Sequence, residues 1–399
     1  MSLVQTLPSG PLDIVGDIHG EQAALLQLLR HLGYDARGNH PEGRTLVFLG
    51  DFVDRGPDSP GVIGIVHQLV TSGKAVAIAG NHEINLLRND PKDGSGWFFD
   101  ARLQSDLRKY PCFARPHDPA ERSAIVHFLR DLPVALERED LRIVHAAWSG
   151  AAVEQARRQP LGGLRAAYDQ WEAQAAQAAQ AQRITERMAQ ERELWPHNLE
   201  HGEHRPPFLQ AHCDNELNKS IFNPLKVLTC GLEDPATEPF FAGNKWRFVQ
   251  RQAWWEHYTE ATPVVIGHYW RRIDPHHCTQ EGLFADVAPF AWHGQRQNVF
   301  CVDYSVGARA QARKKEQATH GFKLAALRWP ERTLMFDDGQ QQTTHGFMQR
   351  PPQPHTAHNA SAIQTSSAWP QSTPSAAQTT RSTWGCHCLG LPRATPISG

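Results

Sequence analysis

No stretch of the 399 residues approaches the ~20 consecutive apolar side chains that a bilayer-spanning helix needs. The longest apolar runs, such as LVFL (46–49) and AVAIAG (75–80), are of strand length. The opening MSLVQTLPSGPLD lacks both the basic stretch and the apolar core of a secretory leader, so none is expected. Net charge is also scarce. Forty Lys and Arg face 42 Asp and Glu, which excludes a basic surface for nucleic-acid phosphates as the business of the whole chain. Cysteine is thin and odd in number, seven in all, which reads as reduced thiols in the cytoplasm rather than a disulfide frame. Charge is scarcest in residues 340–399, which hold three Arg and no Asp, Glu or Lys, leaving 37 basic and 42 acidic side chains in residues 1–339. That final stretch is rich in Gln, Thr, Ser, Pro and Ala and shows no periodicity, so it is expected to be a disordered tail.

What is present is alternation. Strand-type runs LDIVG (12–16), TLVFLG (45–50), AVAIAG (75–80), LRIVH (141–145), PVVIGH (263–268) and VFCVD (299–303) are interleaved with helix-type segments at 21–32, 59–72 and 121–130. Most of these runs are rich in Val and Ile, and each ends at Gly, His or Asp, as buried central strands do. This order predicts an α/β layered domain. KLAALRWPERTLMFD (323–337) reads as a closing hairpin. From Leu164 to Trp195 there is neither Gly nor Pro, and Leu164, Tyr168, Trp171, Ala175 and Ala178 make one apolar stripe. Unbroken, a helix of that length reaches about 48 Å. The predicted organisation is a catalytic domain in two parts, 1–149 and 263–339, a mostly helical insertion at 150–262, and a tail at 340–399.

Three motifs, GDIHG (16–20), GDFVDRG (50–56) and GNHE (80–83), each follow directly on a predicted strand. Loops after the carboxyl ends of parallel strands converge at one sheet edge, the usual ligand site. Their side chains are Asp, His, Asp and Asn, a hard-oxygen and imidazole set suited to Mn, Fe, Zn or Mg. Asp17 and His19 stand two residues apart where the chain leaves its strand, so both can reach one ion. Asp51 can bridge two ions about 3.5–4 Å apart. Asn81 offers a neutral oxygen to the second, and the strand-terminal His145 and His268 can complete it.

In this order and spacing, the motifs resemble the metallophosphoesterases of the phosphoprotein-phosphatase type, a group that also contains the symmetrical diadenosine tetraphosphatases. The resemblance implies a calcineurin-like αββα sandwich that hydrolyses phosphoesters with two divalent ions, Mn first among them. It implies that Asp17, His19 and Asp51 hold the first ion, and that Asp51, Asn81, His145 and His268 hold the second. It further implies that Arg55 grips a phosphate oxygen, and that His82, oriented by Asp54, protonates the leaving group. A second phosphate-binding Arg is expected before His268, with Arg247 and Arg251 as candidates and Lys245 competing. No nucleophilic Ser or Cys is needed, because attack is by activated water.

Some features depart from the eukaryotic phosphatases of that group. GHYW places Trp270 where many metallophosphoesterases carry a second metal-binding His, HAAW (145–148) lacks a Gly pair, and CVDYSVG (301–307) is similar to the diadenosine-type ending. A Ser/Thr phosphoprotein phosphatase is the first expectation and a symmetrical diadenosine tetraphosphatase or other nucleotide hydrolase the second, so the partner is a phosphorylated protein or a nucleotide. The insertion can also take a protein partner, and a catalytically silent scaffold is the reading from another class. His197, His201, His204, His212 and Cys213 fit no standard zinc spacing and read as a surface loop. Cys386, His387 and Cys388 fall in the expected tail. Trp246, Trp254, Trp255 and Trp270 either pack the insertion or stack a base, with packing the preferred reading.

Overall fold

The computed structural model describes residues 1–242, 245–273 and 282–349. Its strands, in chain order, are β1 (Val4–Thr6), β2 (Leu12–Val15), β3 (Thr45–Phe48), β4 (Ala75–Ala77), β5 (Ala135–Arg138), β6 (Leu141–Val144), β7 (Glu233–Phe241), β8 (Trp246–Arg251), β9 (Val264–Ile266), β10 (Val299–Cys301), β11 (Ala325–Trp329), β12 (Thr333–Phe336) and β13 (Gln341–Thr343). One sheet has the order β13-β12-β11-β2-β3-β4 and a second the order β1-β5-β6-β9-β10; β7 and β8 form a separate ribbon. Both large sheets are mixed. β2, β3 and β4 run parallel, as do β6, β9 and β10, while β11 joins β2 antiparallel.

The strands read as unbroken apolar runs because both of their faces are buried. On β2, Leu12 and Ile14 point into the core between the sheets, with Val47, Ile143, Val265 and Phe300. Val15, Leu46 and Phe48 face the other way, into the core shared with the flanking helices. The result is an αββα sandwich. Helices Gln22–Leu32, Ser59–Thr71 and Asn81–Leu87 follow β2, β3 and β4. The second starts where the Asp58 carboxylate accepts the Gly61 N–H at 2.7 Å, beside Pro60. The first ends at Gly33, whose φ of 98° supplies the left-handed cap. Among the described residues, no helix is long and apolar enough to cross a membrane.

The structure departs from or adds to the sequence expectation in four places. First, the 164–195 helix is two helices, Leu164–Ala181 and Ile184–Leu194, hinged at Arg183 with φ 56°. The buried stripe of Leu164, Tyr168, Trp171 and Ala175 runs out at Ala179, so a straight continuation would be a polar rod. Turning at 182–183 instead buries Ile184. The first helix therefore reaches about 27 Å, not 48 Å. Second, the insertion is helical only as far as Cys230. The β7–β8 ribbon follows, irregular between Pro235 and Phe240. It packs Trp246, Phe248 and Val249 against Leu209 and Cys213 in a small core of its own. Two Pro residues and no alternating pattern hide β7 from a periodicity reading. Third, the regular chain continues past 339, where β13 pairs with β12 through exposed polar residues held by the backbone ladder. The rest of the expected tail, 350–399, lies outside the described residues. Fourth, β1 and β5, which no apolar run announced, form one side of the second sheet. The insertion belongs to the same contact unit as both sheets.

Candidate metal centre

All six residues expected to hold metal meet at the edge where the parallel strands end. Asp17 and His19 follow β2, Asp51 follows β3, and Asn81 opens the helix after β4; His145 and His268 follow β6 and β9. The backbone turns sharply to aim them. His19, Asp51, Asp54, Arg55 and His268 all have positive φ, between 47° and 75°. Non-glycine residues rarely take that region, and such strain concentrates at functional sites. Space is correspondingly tight. A Cβ on Gly80 would stand 2.3 Å from Asp51 Oδ1, and one on Gly267 would stand 2.1 Å from Asp17 Oδ1.

Asp51 is the hub. Its Oδ2 lies 3.3 Å from His145 Nε2 and 3.9 Å from both His19 Nε2 and His82 Nε2. Two sets of ligand atoms are therefore close enough to hold an ion, His19–Asp51–His82 and Asp51–His145–His268, and Asp51 is common to both. Asp17 adjoins the first set, 4.0 Å from His19 Nε2, and accepts the His268 backbone N–H. The rings are held by their outer nitrogens. His19 Nδ1 bonds the Val53 carbonyl at 3.0 Å and His145 Nδ1 the Leu49 carbonyl at 2.7 Å. Such outer bonds select the tautomer with its Nε2 lone pair facing inward. Asn81 Oδ1, His145 Nε2 and His268 Nε2 are buried without a hydrogen-bond partner. Buried polar atoms are almost always paired, so each of these three is left with a lone pair that a cation could take.

The electrostatics point the same way. Burial, with Arg55 and His82 nearby, holds His19 well below the usual histidine range; burial and Arg251 do the same to His268. Both are thereby held in the neutral form. Burial also opposes a charge on His145, yet the carboxylates of Asp51 and Asp17 push it up to about 10. That two carboxylates outweigh burial shows a negative field at this nitrogen.

Arg55 stands beside the histidines. Its backbone N–H donates to Gly94 O, and its guanidinium nitrogens lie 2.7 Å from His19 Nε2 and 3.2 Å from His82 Nε2. The guanidinium carbon lies 5.0 Å from the ring centroid of Trp270, which is 40% exposed. Trp246, Trp254 and Trp255 are buried in packing. His82 Nδ1 lies 2.5 Å from Asp54 Oδ2. Of the two candidate arginines, Arg251 lies over Tyr269 beside His268. Arg247 instead bonds Ala242 O and lines a different cavity, of about 190 Å³, with Lys219, Lys245 and Trp246. His212 bonds Glu191, and Cys213 is buried in the small core, so neither points to zinc.

Sequence reasoning gave no role to two buried acids. Glu83, within GNHE, accepts backbone N–H groups from Asp51 (2.8 Å), Phe52 (2.9 Å) and Gly80 (2.8 Å), tying two motif loops together. Replacing it with Ala strands three buried donors at ~1–3 kcal/mol each. Glu83→Ala is expected to lower unfolding stability by about 3 kcal/mol or more in a denaturant titration; a loss under about 1 kcal/mol would refute that role. Asp303, at the end of β10, accepts the Ser305 N–H on Oδ1, while its Oδ2 is buried and unpartnered. Burial pushes it up to about 6. Its strand-end position is the signal it shares with Asp17 and Asp51.

Residues 10–227 match the family model described as calcineurin-like phosphoesterase. Among individual proteins, the chain is 46% identical over 79 residues to a bis(5'-nucleosyl)-tetraphosphatase PrpE [asymmetrical] of Halalkalibacterium halodurans, covering 19% of this chain and 32% of that protein. The enzyme of the same name from Oceanobacillus iheyensis is 46% identical over 80 residues, with the same shares. The chain thus spans about a third of the length of the curated relatives it matches. A cold-active protein-tyrosine phosphatase of a psychrophile Shewanella species aligns at a TM-score of 0.43 and 16% identity, over 86% of this chain and 82% of that one.

Proposed function

The chain belongs to the calcineurin-like phosphoesterase family, a family of metal-dependent hydrolases, and from that premise we propose that it hydrolyses nucleoside polyphosphates, dinucleoside tetraphosphates first. The observation that carries this reading is Trp270, an exposed indole set against the guanidinium of Arg55. A phosphate held by Arg55 leaves its base within reach of that ring, and base–aromatic stacking is worth ~1–3 kcal/mol. The names of the matched relatives agree with a dinucleotide substrate. The free thiols Cys112, Cys213, Cys230 and Cys301 suit a cytoplasmic enzyme.

Asp17, His19 and Asp51, with Asp51, Asn81, His145 and His268, would hold two divalent ions. Bound there, the ions supply charge neutralisation and a lowered pKa for water. The chain's own groups do the rest. Arg55 takes the phosphate oxygens in a planar fork. The ring of His82, its Nδ1–H donated to Asp54, presents Nε2 to the leaving oxygen as proton donor. The walls of the centre are buried, which strengthens each of these interactions over its value in water.

The test is a panel of diadenosine tetraphosphate, a phosphopeptide and p-nitrophenyl phosphate, assayed with Mn. Chelation is expected to remove turnover and added Mn to restore it. The dinucleotide is expected to be preferred, and Trp270→Ala to raise its KM about tenfold more than that of p-nitrophenyl phosphate. Equal losses on both would defeat the stacking assignment. Turnover of the phosphopeptide alone would support the phosphoprotein-phosphatase expectation instead. Product analysis separates symmetrical cleavage to two ADP from asymmetrical cleavage to ATP and AMP.

A further inference from the structure

The loop from Lys92 to Trp97 lies far from every motif in composition, yet it touches both members of the Asp54–Arg55 pair. Gly94 O accepts the Arg55 backbone N–H at 3.0 Å. Trp97 Nε1 donates to Asp54 Oδ1 at 2.6 Å, while the other Asp54 oxygen, Oδ2, meets His82 Nδ1 at 2.5 Å. The Asp54 backbone N–H is held by Ser59 Oγ. Each carboxylate oxygen of Asp54 thus has one donor, and that pair of donors sets its rotation. The loop is itself anchored. Gly96 N–H donates to Asp106 Oδ2 at 2.7 Å, and Ser95 Oγ caps Lys92. Asp106 is fully buried and further held by Arg102. Trp97 is 1% exposed, so its N–H has no water to turn to.

We infer that Trp97 is a positioning residue for leaving-group protonation: its indole N–H fixes the Asp54 carboxylate, and through Asp54 it holds the His82 ring with Nε2 toward the departing oxygen. The inference rests on the reading of His82 as proton donor. In that step the oxygen of water forms a new bond to phosphorus and one water proton passes to solvent, from which His82 is later reprotonated. The bond to the leaving oxygen breaks with its electron pair, and that oxygen takes the Nε2 proton of His82. The ring ends neutral, with Nδ1–H still donated to Asp54. Without the indole N–H, Asp54 Oδ1 is a buried acceptor with no partner and the carboxylate is free to turn. The ring it orients then loses its aim.

The experiment uses the full chain with Mn and a series of phosphate monoesters from p-nitrophenyl, a good leaving group, through phenyl to alkyl. Proton donation matters little for the first and much for the last. Trp97→Phe keeps the packed ring and removes only the N–H. Its loss in kcat is expected to grow from under about twofold on p-nitrophenyl phosphate to on the order of tenfold on the alkyl ester. His82→Gln is expected to show the same trend more steeply. A flat loss, or none, for Trp97→Phe beside a steep one for His82→Gln overturns the inference alone. A flat loss for His82→Gln overturns both the inference and the reading beneath it. Should Trp97→Phe not fold, the indole N–H signals of the twelve tryptophans decide. One is expected far downfield in the wild type and displaced in Asp54→Asn; no displaced signal overturns the bond.

Discussion

Asp51→Asn is expected to lower turnover by on the order of 10³-fold or more, and to reduce the Mn held by the purified protein from two ions to one or none. Its Oδ2 lies within 4 Å of the Nε2 atoms of His19, His82 and His145. The substitution keeps shape and volume and removes one negative charge from a buried site. There the charge is least screened and its loss costs most. Burial opposes ionisation of this carboxyl, but the surrounding imidazoles of His145, His82 and His19 hold it well below the usual carboxylate range. Asn has no group to ionise, so no adjustment of pH rescues the variant. Metal content by elemental analysis and turnover of p-nitrophenyl phosphate check the two halves separately. Two bound ions with full activity would defeat the assignment of Asp51 as the ligand shared by both ions.

Arg55→Lys ranks next, with an expected loss of about 10²-fold in kcat/KM and a matching rise in the inhibition constant of inorganic phosphate. The change preserves charge, so the size of the loss measures geometry. The guanidinium spans His19 and His82 with two different nitrogens and lies over the face of Trp270. An ammonium is a point charge on a flexible stem and cannot hold both directions at once. Arg55 also sits at φ 70°, pinned through its own N–H to Gly94. Its side chain therefore starts from a fixed direction that a lysine inherits but cannot use. Loss of activity without weaker phosphate inhibition would show that Arg55 acts elsewhere than on the phosphate.

How much of this is legible in one dimension depends on how locally each feature is encoded. The six apolar runs that read as strands are strands, because burial on both faces makes each run continuous and its ending abrupt. GDIHG, GDFVDRG and GNHE are visible because each packs its chemistry into a few residues at a strand end. β7 is not visible, since its two prolines mask a strand paired only to β8. Nor is the turn at Arg183, which depends on where a buried stripe runs out. Glu83 was in view within its motif, but two of its three backbone donors, on Asp51 and Phe52, lie more than thirty residues away in sequence. The division between the two candidate arginines, Arg251 beside His268 and Arg247 at a different cavity, also waited on packing.

Unaided, the sequence determined the α/β layering, the three strand-end motifs and their likeness to two-metal phosphoesterases. Each of these depends on short-range order, on residue type and on spacing along one chain. Only the tertiary structure decided that Asp51 is shared by two ligand sets, that Trp270 alone among the four tryptophans flanking the last motif lies open beside Arg55, and that Trp97 reaches Asp54 across 43 residues of chain. These are meetings between side chains on different elements. Their partners are chosen by how the sheets stack and the loops close, and nothing in the local order of residues carries that information.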